Sequence, residues 1–126
     1  MSKSTRIEDF AKDINSSWRK TTDSILETAR LCTKANGQLT KDDRKQLVQL
    51  LSFSPSVFSK LVKIGEHELL HQDQVKSLLP PNYTIMYALS QLSDAELQAA
   101  VDAGAISPVM SREDVVLLQR IARLLM

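Results

Sequence analysis

The chain has little of what breaks, staples or spans. It carries three glycines and four prolines in 126 residues, so few positions interrupt a helix. With Leu, Ala, Gln, Lys and acidic residues plentiful, the composition favours helices over strands. The single cysteine, Cys32, cannot form an internal disulfide, and a reducing cytoplasm is the expected setting. No run approaches the roughly 18 apolar residues that a membrane span requires. The first residues are polar and lack the apolar stretch of a signal peptide. No two glycines lie close enough for a phosphate-cradling loop. Neither an alternating strand pattern nor an internal repeat is visible.

What is present is globular. Hydrophobic residues make up 43% and charged residues 25%, which excludes disorder across the whole chain and suffices for one domain over residues 1–126. The net charge is +1, but it is unevenly spread. Residues 1–63 hold twelve Lys/Arg against seven Asp/Glu, a net of +5. Residues 64–126 hold four against eight, a net of −4. This asymmetry fits a basic face on the first half, and the plainer reading is charge varying along a solvated surface.

Helical spacing runs through the chain. Thr5-Arg6-Ile7-Glu8 reads as a capping box. Ile7, Phe10, Ala11, Ile14, Trp18, Ile25 and Ala29 then follow one stripe to Asn36-Gly37, a C-terminal signal. This predicts a long N-terminal helix within residues 1–39, which Ser16-Ser17 could bend. Thr40 starts a second helix, with Asp42 and Asp43 at its positive end and Leu47, Val48, Leu50 and Leu51 on its buried side. Ser54-Pro55 restarts the chain as a third helix. Its apolar face is Val57, Phe58, Leu61, Val62 and Ile64, and Gly65 is its stop signal. A helical support region, 66–126, follows. In it lie one short helix from Glu66 to Leu79, another from Met86 to Leu92, a capping box at Ser93–Glu96 and a last amphipathic helix from Ser111. The apolar side of that last helix is Val115, Leu118, Ile121, Ala122 and Leu125.

Residues 40–65 carry the sharpest pattern. Leu47, Leu51, Phe53, Phe58 and Leu61 match the apolar anchors of the bacterial helix-turn-helix, and Ser54 matches the cap of its second helix. Ser52 stands where glycine is usual, and Val48 where alanine allows close approach. Two helices crossing steeply through a tight turn leave the second able to enter a major groove about 12 Å wide. Ser54 and the non-anchor residues Ser56, Ser59, Lys60 and Lys63 are the candidate contacts to base edges or phosphates. Lys41, Arg44 and Lys45 lie on the preceding helix, where backbone contacts fall. The competing reading is a structural helical corner with a solvated basic surface.

The second half extends this reading. Leu79-Pro80-Pro81-Asn82-Tyr83, Tyr87 to Leu92, Glu96 to Ala103-Gly104-Ala105-Ile106 and Met110-Ser111-Arg112 follow one after another. In these segments the chain resembles a family of uncharacterised phage- and plasmid-borne helical proteins. It is similar, more distantly, to the central DNA-binding domain of ParB-type partition proteins. The resemblance runs from about residue 7 to 120 and implies DNA binding and a mobile-element origin. The nucleotide-binding arginine motif of those partition proteins is absent, so no nucleotide cofactor is implied.

One catalytic pattern competes. His67-Glu68-Leu69-Leu70-His71 satisfies the His-Glu-x-x-His signature, in which two histidines on one helical face hold zinc and the glutamate activates water. A third ligand would have to be a carboxylate such as Asp94 or Glu96, neither in a recognisable motif, and no strand backs the site. Trp18 fits a core or dimer contact better than base stacking, and Cys32 fits a buried small hydrophobe better than a nucleophile.

The sequence therefore predicts an all-α helix-turn-helix domain that is not an enzyme and uses no metal or cofactor. It binds double-stranded DNA as a homodimer, as a phage or plasmid regulator or maintenance factor. The alternatives are a helical interaction module that inhibits a host protein, and a zinc peptidase.

Overall fold

With few breakers in the chain, short polar side chains decide where each helix begins. The computed structural model describes residues 3–17 and 21–125. Among these the protein is all-α. The helices are α1 (Lys3–Ser17), α2 (Thr22–Gln38), α3 (Lys41–Leu50), α4 (Pro55–Glu66), α5 (Asp73–Lys76), α6 (Tyr83–Ser90), α7 (Asp94–Asp102) and α8 (Arg112–Leu125). A 3-10 turn, Glu68–His71, precedes α5. No single helix among the described residues is long and apolar enough to cross a membrane.

The long N-terminal helix is two helices. Thr21 is extended (φ −146°, ψ 172°) and its hydroxyl accepts from the Ser24 amide, so α2 has its own cap and start. Thr21 and Ser24 compete with helix propagation through their side chains, as short hydroxyl residues do. α1 then folds back on α2, and Arg6 near one end donates to the Gln38 side chain at the other. Ile7, Phe10, Ala11 and Ile14 are buried in the chain's own core, beside Ile25 and Ala29. The apolar stripe of α1 is thus satisfied within one molecule; Trp18 lies outside the described residues. α1 is already under way at Lys3, ahead of the box expected at Thr5.

Other boundaries shift for identifiable reasons. α2 passes through Asn36-Gly37 and ends when the Leu39 amide donates to Ala35 O at 3.0 Å. Residues 66–79 are not one helix, because the extended Gln72 separates the 3-10 turn from α5. α6 starts earlier than the sequence suggests. Asn82 caps it by accepting from the Thr84 and Ile85 amides, and it stops at Ser90. The expected box at Ser93–Glu96 is complete, with both reciprocal bonds made. Ser111 and Asp114 make the same reciprocal pair at α8. α7 closes where Gly104 takes φ +70°, with the Ala105 amide donating to Ala100 O and the Gly104 amide to Val101 O.

α4 ends within one residue of Gly65, at Glu66, but Gly65 does not act as a left-handed stop. It is the last residue but one of α4, buried, where α4 crosses α2. A β-carbon there would lie 2.0 Å from Thr33 Oγ1 and 2.4 Å from Ala29 O. Glycine is needed for close approach. Thr33 uses the proximity to donate to Val62 O at 2.9 Å, a bond between helices.

α4 is the central element, packed on α2 on one side and α6 on the other, while α3 lies on α1 and α8 on α6. The buried side chains form one cluster from Ile7 to Val115. Leu47, Leu61, Ile64, Leu70, Leu89 and Leu97 are fully enclosed, each worth roughly 1.5–3 kcal/mol by transfer from water. Leu50, assigned by spacing to the buried side of α3, is 49% exposed.

Candidate nucleic-acid interface

α3 and α4 are joined by Leu51–Ser54 and turn through 112°. Both ends of this connection are extended, at Leu51 (ψ 151°) and Ser54 (ψ 161°). Ser54 Oγ accepts from the Val57 amide at 3.3 Å, and Pro55 occupies the first helical position, where its missing N–H costs nothing. Leu47, Phe58 and Leu61 are buried, and Val48, Leu51 and Phe53 are half-buried. The apolar anchors read from the sequence therefore do hold the corner to the core.

A second device was not legible in the sequence. Asn15, near the end of α1, donates from Nδ2 to Leu50 O at 3.1 Å and accepts from the Ser52 amide at 2.9 Å. One side chain satisfies the last carbonyl of α3 and the first free amide of the turn. The residues are 35 and 37 positions apart in sequence, so no local signal announces the pairing.

The eight candidate contact residues separate into three groups. Ser56, Ser59 and Lys63 lie exposed at helical spacing along the outer face of α4. Lys63 also pairs with Glu66 at 3.8 Å, an exposed contact worth little. Lys41, Arg44 and Lys45 gather on α3 along a groove of about 450 Å³ that also takes in Asn36, Gln49 and Pro55. Lys41 and Lys45 are exposed. Arg44 donates from Nη1 to the carbonyl and side-chain oxygens of Asn36, at 3.3 and 3.0 Å, and so caps the negative end of α2. Ser54 and Lys60 form the third group, already occupied. Ser54 caps α4, and half-buried Lys60 sits 5.7 Å from the centre of the Tyr87 ring on α6. Residues 40–66 hold five basic and three acidic side chains, a net of +2.

The two histidines do not share a helical face. His67 is the C-cap of α4 and His71 ends the 3-10 turn. His67 Nε2 donates to Leu92 O at 3.0 Å, with Asp94 Oδ1 3.7 Å away, and its Nδ1 is buried without a hydrogen-bond partner. His71 Nδ1 accepts from Arg30 Nε at 3.0 Å, so its Nε2 carries the proton and donates to Ile64 O at 3.0 Å. Burial, opposed by the Ile64 carbonyl and aided by Arg30, holds His71 below its ordinary pKa of 6.5. The ring nitrogens thus point to different parts of the fold. Among the described residues, no three His, Cys, Asp or Glu side chains are grouped as metal ligands. Cys32 is buried on α2, where desolvation pushes its thiol up to about 12.

No protein-family model, curated protein or solved structure matches this chain.

Proposed function

We propose that the protein binds duplex DNA through the α3–α4 corner, as a helix-turn-helix regulator or maintenance factor of a phage or plasmid. The observation that carries this is the 112° corner itself, with a four-residue turn and a capped second helix. The angle and turn length are those of DNA-reading helical corners, about 90–120° and 3–4 residues. On the exposed face of α4, Ser56, Ser59 and Lys63 are the groups that would meet base edges or phosphates. Lys41 and Lys45 on α3 are the backbone contacts. Arg44 supports the surface from behind, because its guanidinium is held by Asn36.

The modest charge of +2 over the corner makes the expected salt dependence shallow, set by about three released counterions rather than the ten of a large repressor. The test is duplex binding to mixed genomic fragments across a salt titration. Lys41→Ala with Lys45→Ala should lower affinity uniformly across sequences and reduce the salt slope by about 2. Arg112→Ala, on the remote α8, should leave both unchanged. Absence of binding to any DNA at low salt overturns the proposal. It would favour the second reading, a helical module that engages a host protein, for which the apolar outer face of α8 speaks.

A further inference from the structure

The last two long helices leave an apolar surface that the described residues do not cover. On α8, Val115 is buried and Leu118 and Ala122 are half-buried, so the helix has already turned one apolar side inward. Its opposite side is also apolar. Leu117 is 55%, Ile121 50% and Leu124 86% exposed, at the i, i+4, i+7 spacing of one face. Beside it, Ala95 and Ala99 of α7 and Ala103 just past its end stand exposed at i, i+4, i+8. Between the alanines and Ile121 runs a groove of about 300 Å³ whose walls are apolar except for Glu96. Ile121 lines this groove, and Leu117 and Leu124 project about one turn to either side of it along α8.

We propose that this face is the contact between two copies of the chain, with the α8 helices antiparallel across a two-fold axis near Leu117 and Ile121. In this arrangement each copy supplies what the other lacks: Leu117 and Leu124 of one enter the alanine groove of the other. A two-fold contact requires such self-complementarity, because the same patch appears on both sides. Charge selects the direction. The first turn of α8 carries Arg112, Glu113 and Asp114, a net of −1, and its last turns carry Arg120 and Arg123, a net of +2. Antiparallel helices set acid against base at both ends, whereas parallel helices set like against like. The exposed Leu117, Ile121 and Leu124 form a patch on the order of 350 Å², comparable with the largest apolar patch of a typical monomer. The alanine wall and charged rim extend it toward the roughly 800 Å² per partner of a stable interface. The dimer does not depend on the DNA reading, although it would present two α3–α4 corners to one duplex.

The experiment is sedimentation of the full chain, without DNA, across micromolar concentrations. A dimer is expected. Leu117→Glu with Leu124→Glu should yield a monomer with unchanged helical circular dichroism, since both side chains face water. It should weaken association about 100-fold or more, as truncation of central apolar contacts does. Arg123→Glu should weaken association less, and adding Glu113→Arg in the same chain should restore it. Positions 113 and 123 lie about 15 Å apart along one helix and do not meet within it, so that rescue arises only between copies. A chain monomeric at all these concentrations overturns the proposal, as does a dimer that survives the double glutamate variant. A monomer that binds a host protein through this face overturns it as well. DNA binding lost through Lys41 and Lys45 leaves the sedimentation result untouched, so the two readings fail separately.

Discussion

Gly65→Ala tests the tightest contact in the fold. An added β-carbon would stand 2.0 Å from Thr33 Oγ1, 2.4 Å from Ala29 O and 2.8 Å from Ala29 C. The hydroxyl could rotate away, but the Ala29 carbonyl belongs to α2 and cannot. Relief requires α2 and α4 to separate by about 1 Å, which opens the best-packed part of an interior at crystal-like density. Overpacking of this kind costs about 1–3 kcal/mol. Separation also lengthens the Thr33 bond to Val62 O, now 2.9 Å, worth about 1 kcal/mol. Alanine returns about 1 kcal/mol through its better helix propensity. The balance is a loss of about 1–3 kcal/mol, or roughly 3–12 °C in Tm for a chain of this size. Urea denaturation read by circular dichroism measures it, with the slope unchanged if only stability moves. In a Thr33→Ala background the clash at 2.0 Å disappears and the one at 2.4 Å remains, so the loss should shrink without vanishing. A Gly65→Ala protein more stable than the parent by about 1 kcal/mol would mean that propensity alone governs the site, and would refute the close-approach argument.

Asn15→Ala should remove both bonds that hold the turn after α3, costing about 1–2 kcal/mol. Hydrogen exchange at the Ser52 amide should accelerate more than at amides inside α4, and equal acceleration everywhere would reduce Asn15 to a general stabiliser. His71 is neutral in the fold and held below its ordinary value of 6.5, so the unfolded chain binds its proton first. Stability attributable to it is therefore full above pH 6.5 and declines as pH falls through that value toward the lower native one. Urea midpoints at pH 7.5 and 5.5 should differ, and His71→Gln should reduce the difference; an unchanged difference would place the titration elsewhere. Native Cys32 should resist thiol reagents and react only on unfolding, because its thiolate is disfavoured by burial. Rapid alkylation of the folded protein would contradict that.

Local chemistry was legible before any coordinates. Thr40, Ser54, Ser93 and Ser111 each act within three residues, by accepting from a nearby amide, so a short window contains both partners. The helix spacing and the interruption at residues 51–54 are local in the same sense. Three matters belonged to tertiary structure alone. The fold-back of α1 onto α2 decided what covers the apolar stripe of α1, because a period of 3.6 shows which face is apolar and not what lies against it. Gly65 carries the same letter as a stop signal, and only the crossing of α2 distinguishes close approach from termination. The charges and histidines were decided in the same way. Arg44, Lys60, His67 and His71 each acquired a partner 7 to 41 residues away, and those partners determine whether a charge or ring nitrogen is turned outward or already held. A side chain's type states what it can bind; the distant residues packed around it determine what remains for a ligand.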